Sequence, residues 1–155
     1  MTRWATGAEQ IMAMLADGEL EQVAPSPQNA ARLLAEADRH LRSAALLAPD
    51  DPAGAYDMLY AAARKAMAAA LAVQGLRSTS KGGHMAVQEA VTHQLGATGS
   101  VVRPFGRLRR TRNDADYPRL DSPELTTDDI DEDLPKARQI VDAMGALLPH
   151  LAPWR

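Results

Sequence analysis

Four arginines fall between Arg107 and Arg112 in the stretch GRLRRTRNDADYPRL, and Arg103 sits one turn earlier. Guanidinium groups grip phosphate in a bidentate way, so this cluster is the first place where the chain could do chemistry. Close behind come Asn113, Asp114, Asp116 and Tyr117, which can orient a substrate or exchange protons. A local explanation also exists, in which Arg112–Asp116 and Arg110–Asp114 are i, i+4 pairs worth ~0.2–0.5 kcal/mol each. Two details weigh against it as the whole reason. The basic-then-acidic order is the poorer orientation for a helix pair. The aspartates also stand near a helix C-terminus, where the macrodipole disfavours negative charge.

Outside this stretch, His84 is the other candidate for proton transfer. It follows Gly82-Gly83 at the head of a helix and shares a stripe with Val87 and Val91. A helix N-terminus lowers its pKa and favours the neutral, basic form; the alternative is a packed histidine satisfied by backbone. His40, His93 and His150 have no partners at metal-ligand spacing and read as surface or packing residues. The acidic run DDIDED (128–133) reads as a charged helix start, without the spacing and glycine of a calcium loop. RSTSKGG (77–83) lacks the spacing of a phosphate-binding Walker loop. No metal or cofactor is expected.

Composition narrows the classes. At 155 residues the chain is long enough for one domain with a single core. The absence of cysteine excludes disulfides and thiolate metal sites and favours a reducing compartment. MTRWATGAEQ carries no apolar run of the signal-peptide kind, and AMAAALAV (66–73) is far shorter than the ~20 residues that span a bilayer. A soluble, cytoplasmic protein without a membrane partner is the expectation. The formal net charge of −3 argues against a nucleic-acid coat over the whole surface, but basic residues gather at 103–119 and acids at 121–133. With 4% aromatics, a base-stacking platform is not expected.

The elements that must position these groups are helical nearly throughout, with no convincing period-2 segment. A short helix is expected over about 6–17, with Thr6 and Glu9 as a capping box and Gly18 as its stop. A long helix opens at Ser26-Pro27 and carries Ala30, Leu33, Leu34, Ala37, Leu41, Ala44 and Ala45 on one face. A second opens at Asp50-Asp51-Pro52 and runs to Gly75. Its alanine-rich surface fits the centre of a bundle. A shorter helix follows over about 84–95, with Val87, Val91 and Leu95 inward, and GATGS (96–100) breaks the chain. The next helix is expected from about 101 to 116, ended by Tyr117-Pro118. Its inward stripe is Val101, Phe105, Leu108, Arg112 and Ala115, so Arg112 occupies a slot that calls for an apolar residue. The last helix carries Ile130 to Leu148 at helical spacing, with Pro135 implying a kink or a start near 133. The sum is an all-α, up-and-down bundle of four to five main helices with a short N-terminal helix, in one domain over 1–155.

The alanine-rich YAAARKAMAAALAVQG (60–75), the histidine-led SKGGHMAVQEAV (80–91) and the RLRRTRNDADYP segment, in that order, resemble the HEPN superfamily over roughly 26–148. The family signature is an arginine, usually with a polar neighbour, and then a histidine four to six residues on. On this chain Arg112 takes the arginine and Asn113 the neighbour. Tyr117 stands at the first place the histidine would fall, with Asp116 beside it. The resemblance implies a homodimer and metal-independent endoribonuclease chemistry in a toxin–antitoxin or defence setting, with a nucleotidyltransferase-type antitoxin as partner. Arg112, Asn113, Asp116, Tyr117 and His84 are then the catalytic candidates, and Arg107, Arg109 and Arg110 the RNA- or phosphate-binding ones. The missing histidine leaves a second reading, a non-catalytic binding or dimerisation module that holds a nucleotide or its partner.

Overall fold

The computed structural model describes residues 4–154, so the expectation for the first ten residues falls partly outside them. Six helices follow in order: α1 (Ala8–Ala16), α2 (Pro27–Leu47), α3 (Pro52–Gln74), α4 (Gly83–Leu95), α5 (Phe105–Asp116) and α6 (Thr127–Leu147). They pack as an all-α bundle, and no helix among the described residues is long and apolar enough to cross a membrane.

Local sequence sets most of the boundaries. Ser26 Oγ accepts from the Asn29 amide at 3.1 Å and Asp51 Oδ1 from the Gly54 amide at 3.0 Å, each followed by proline in the first turn. Helix α3 contacts α2, α4, α5 and α6, as its alanine surface leads one to expect. Ala55, Ala62, Ala63, Ala66 and Ala69 are fully buried along it, and their small side chains let neighbouring backbones come close. Tyr56, Leu59, Met67 and Leu71 fill the space between, each worth ~1.5–3 kcal/mol of burial.

Several boundaries differ from the sequence reading. Gly7, not Thr6, holds the N-cap of α1 and makes no side-chain cap, so the Thr6–Glu9 capping box does not form. Ala45 lies exposed on α2 rather than on its inward face. The expected helix from 101 is two pieces, a 3-10 segment (Gly96–Val102) and then α5, because the ring of Pro104 obstructs an α-helix through the preceding turn. Conversely, α6 begins at Thr127, well before 133. Thr126 and Asp129 form a true capping box there, and the helix runs through Pro135.

The structure adds a short antiparallel ribbon to the expected helices. β1 (Leu20–Gln22) pairs with β2 (Leu76–Ser78), Glu21 opposite Arg77. Three residues per strand are too few for a period of two to register. Gly75 turns α3 into this ribbon, with φ of 79° and its carbonyl accepting from the Val23 amide at 2.8 Å. A Cβ there would stand 2.7 Å from the Val23 carbonyl oxygen. Gly75→Ala should therefore cost about 2 kcal/mol or more in chemical denaturation. Gly83 shares a positive φ, 60°, but has nothing within 4 Å of the added atom, so Gly83→Ala should cost distinctly less. Equal losses at the two sites would show that the close approach to the ribbon is without consequence.

Candidate functional site

The helix α5 places Phe105 and Leu108 in the core and turns Arg112 toward α3 one turn later. Arg112 does not enter the core. Its side chain is half-buried, and its guanidinium lies over the ring of Tyr60, 5.3 Å from the centroid. Tyr60 is stacked from another side on Phe105, with ring centroids 5.0 Å apart. The apolar slot thus receives a cation set over an aromatic ring, and the charged head keeps a route to solvent.

At its tip Tyr60 meets His84 from the start of α4, Oη to Nδ1, at 2.6 Å. His84 Nε2 takes no hydrogen bond among the described residues. Burial lowers the pKa of His84, and the nearby Arg64, Arg112 and Arg109 lower it further. The direction is the one the sequence leads one to expect, but desolvation and three guanidiniums cause it rather than the helix terminus alone. Burial also raises the phenol of Tyr60, which therefore stays protonated at neutral pH.

Two carboxylates close the other side. Arg112 Nε stands 2.9 Å from Asp116 Oδ2 and 3.6 Å from Asp57 Oδ1. Its N–H is aligned with neither oxygen, so this buried donor remains without an acceptor. The i, i+4 pair with Asp116 is thus real, while Arg110 and Asp114 do not pair. Burial raises the pKa of Asp57, the negative charge of Asp116 adds to this, and Arg112 opposes both.

The remaining candidates divide. Arg107 is committed elsewhere: its guanidinium bonds Asp133 Oδ1 at 3.2 Å and Glu132 Oε1 at 3.3 Å. Arg109 and Arg110, with Arg103, line an open groove of about 450 Å3 between α4 and α5, and none of the three has an ion-pair partner among the described residues. Asn113 is half-buried with no side-chain hydrogen bond among the described residues, and Tyr117 is 80% exposed, with no contact to the cluster among them. The structure therefore joins Arg112, Asp116 and His84 through Tyr60 and Asp57, and leaves Tyr117 outside.

Sequence reasoning misses Asp57 and Arg64 and takes Tyr60 only as a core residue. A signal is present, because only Asp57, Arg64 and Lys65 carry charge in a 23-residue helix otherwise rich in alanine. The acidic run disperses too. Asp129 caps α6, and Asp133 is buried against Tyr56, Arg107 and Lys136. Comparison of the chain with protein-family models, with curated proteins and with solved structures finds no match in any of the three.

Proposed function

We propose that this chain is a HEPN-type protein that holds single-stranded RNA by its phosphates along the α4–α5 face and cleaves it without a metal at the Tyr60–His84–Arg112 cluster. The observation that carries the reading is the half-buried His84, tied to Tyr60 at 2.6 Å, its pKa lowered by burial and by Arg64, Arg112 and Arg109. With Nδ1–H donating to the Tyr60 oxygen, Nε2 presents a lone pair and takes the proton of the 2′-hydroxyl. Arg112 and Arg109 neutralise the charge that builds on the phosphate. Asp57 and Asp116 hold the Arg112 guanidinium from the other side, and a water molecule supplies the proton to the leaving oxygen. The toxin-like setting, the second protomer and the nucleotidyltransferase partner rest on the family resemblance.

A second reading is favoured by one specific observation. Tyr117 stands at the first place where the signature histidine would fall, with Asp116 beside it, and Tyr117 is exposed to solvent. In that reading the same cations bind RNA or a nucleotide and nothing turns over.

Purified wild type and Arg112→Ala, incubated with total RNA in EDTA, separate the two. Cleavage by the wild type that is lost in the variant is the expected result; no cleavage by either sinks the nuclease reading. Binding then decides the remainder. Removal of Arg103 or Arg110 should lower the slope of log affinity against log salt by ~0.7 for each phosphate no longer neutralised. An unchanged slope in both variants removes RNA from the groove.

A further inference from the structure

The stripe of α3 that carries Tyr60 continues through Arg64, Ala68 and Leu71 into a separate cavity of about 270 Å3. It is bounded by the start of α2, the segment after β1, the strand β2 and helix α4. Its walls are apolar, formed by Leu33, Leu71, Leu76 and Val87 among others, and its rim is polar, with Asn29 and Arg64. The size suits a single ring or a short alkyl chain, at the small end of ligand pockets.

The charges around this cavity are unbalanced. Arg77, also on the rim, is matched by Glu21 at 2.6 Å. Lys65, beside Arg64 in sequence, is matched by Glu36 at 2.9 Å. Arg64 has no ion pair or hydrogen bond among the described residues, although it is only half exposed against an apolar wall. The Asn29 side-chain amide is likewise unpaired among them. A guanidinium so placed gains most from an anion that brings its own apolar body, because the body fills the cavity while the head satisfies the fork.

We propose that this cavity binds a small amphipathic carboxylate, its carboxyl group on Arg64 and Asn29 and its apolar body against Leu33, Leu71, Leu76 and Val87. The methyl shifts that read this binding do not depend on the RNA reading, although Arg64 also lies close enough to His84 to lower its pKa.

Phenylacetate is the probe, with phenylacetamide as its neutral counterpart, in titrations of full-length protein labelled at leucine and valine methyls. Saturable shifts at Leu33, Leu71, Leu76 and Val87 are expected, with the amide binding more weakly. Arg64→Gln should weaken the carboxylate about tenfold, the loss of one charge-assisted pair, and leave the amide unchanged. Ala68→Phe, which fills the cavity from α3, should abolish both. Absence of saturable shifts at these methyls into the millimolar range overturns the proposal. So does equal affinity of the wild type and Arg64→Gln for phenylacetate. A failure of Ala68→Phe to fold leaves the Arg64 comparison decisive by itself.

Discussion

His84→Ala is expected, on the nuclease reading proposed above, to lower RNA cleavage by about two to four orders of magnitude while leaving RNA affinity within a few-fold of wild type. The size follows from the role, since a positioned proton acceptor contributes to the transition state and not to ground-state binding. The distinguishing measurement is the single-turnover rate at saturating protein, set beside a direct binding titration. The pH profile gives a second check. In the proposed role the acting form is neutral imidazole, so the rate should rise with pH and level off once His84 is deprotonated. Burial and the three arginines depress its pKa, so that inflection should fall below the ordinary histidine value of ~6.5. Removing one cation, as in Arg64→Gln, should move the inflection upward. Cleavage by His84→Ala at the wild-type rate would remove the histidine from the mechanism.

Asp133→Ala carries the largest expected effect on stability, a loss of about 3 kcal/mol in urea unfolding with an unchanged m value. Asp133 is buried to 1% exposure and accepts from Tyr56 Oη at 2.7 Å, Lys136 Nζ at 2.8 Å and Arg107 Nε at 3.2 Å. Truncation removes the carboxylate that accepts from the fully buried Tyr56 hydroxyl and leaves Arg107 and Lys136 with Glu132 alone as their carboxylate partner. Arg107→Ala should cost much less, because that side chain is half in solvent and its removal leaves Asp133 two partners. The pH dependence has a definite sign. Burial acts to raise the pKa of Asp133, but the bonds from Lys136, Tyr56 and Arg107 outweigh it and hold the carboxyl below its ordinary value. A depressed folded-state pKa means stability present above the unfolded value of ~3.9 and lost as pH falls through the folded one. Wild type should therefore lose stability below about pH 4 more steeply than Asp133→Asn. Parallel curves, or an Asp133→Ala midpoint equal to wild type, would show that the carboxylate network holds nothing together.

Both predictions depend on long-range meetings that a pattern along the chain does not contain. Helical spacing puts Arg112 on the inward stripe of α5, and the structure bears that out. The same spacing cannot tell whether the residue met is a carboxylate, a carbonyl or, as it is, the ring of Tyr60. Asp133 looks like one acid among several at a helix start, because the macrodipole suffices to explain such a run. Its partners Tyr56 and Arg107 lie 77 and 26 residues away. Pro104, by contrast, is legible in the sequence, and it stands at the boundary of α5 that helical spacing misplaces.

By itself the sequence determined the all-α class, the caps at Ser26 and Asp51, the central place of the alanine-rich α3 and the stop at Tyr117-Pro118. These rest on interactions within a turn or two of helix, where side-chain type and spacing fix the energy. Only the tertiary structure decided that His84 meets Tyr60, that Asp57 joins Arg112, that Arg107 is taken up by Asp133 and that Arg64 faces an apolar cavity. Each of those depends on which helix faces come together, and that is set by the packing of the whole core rather than by any local preference.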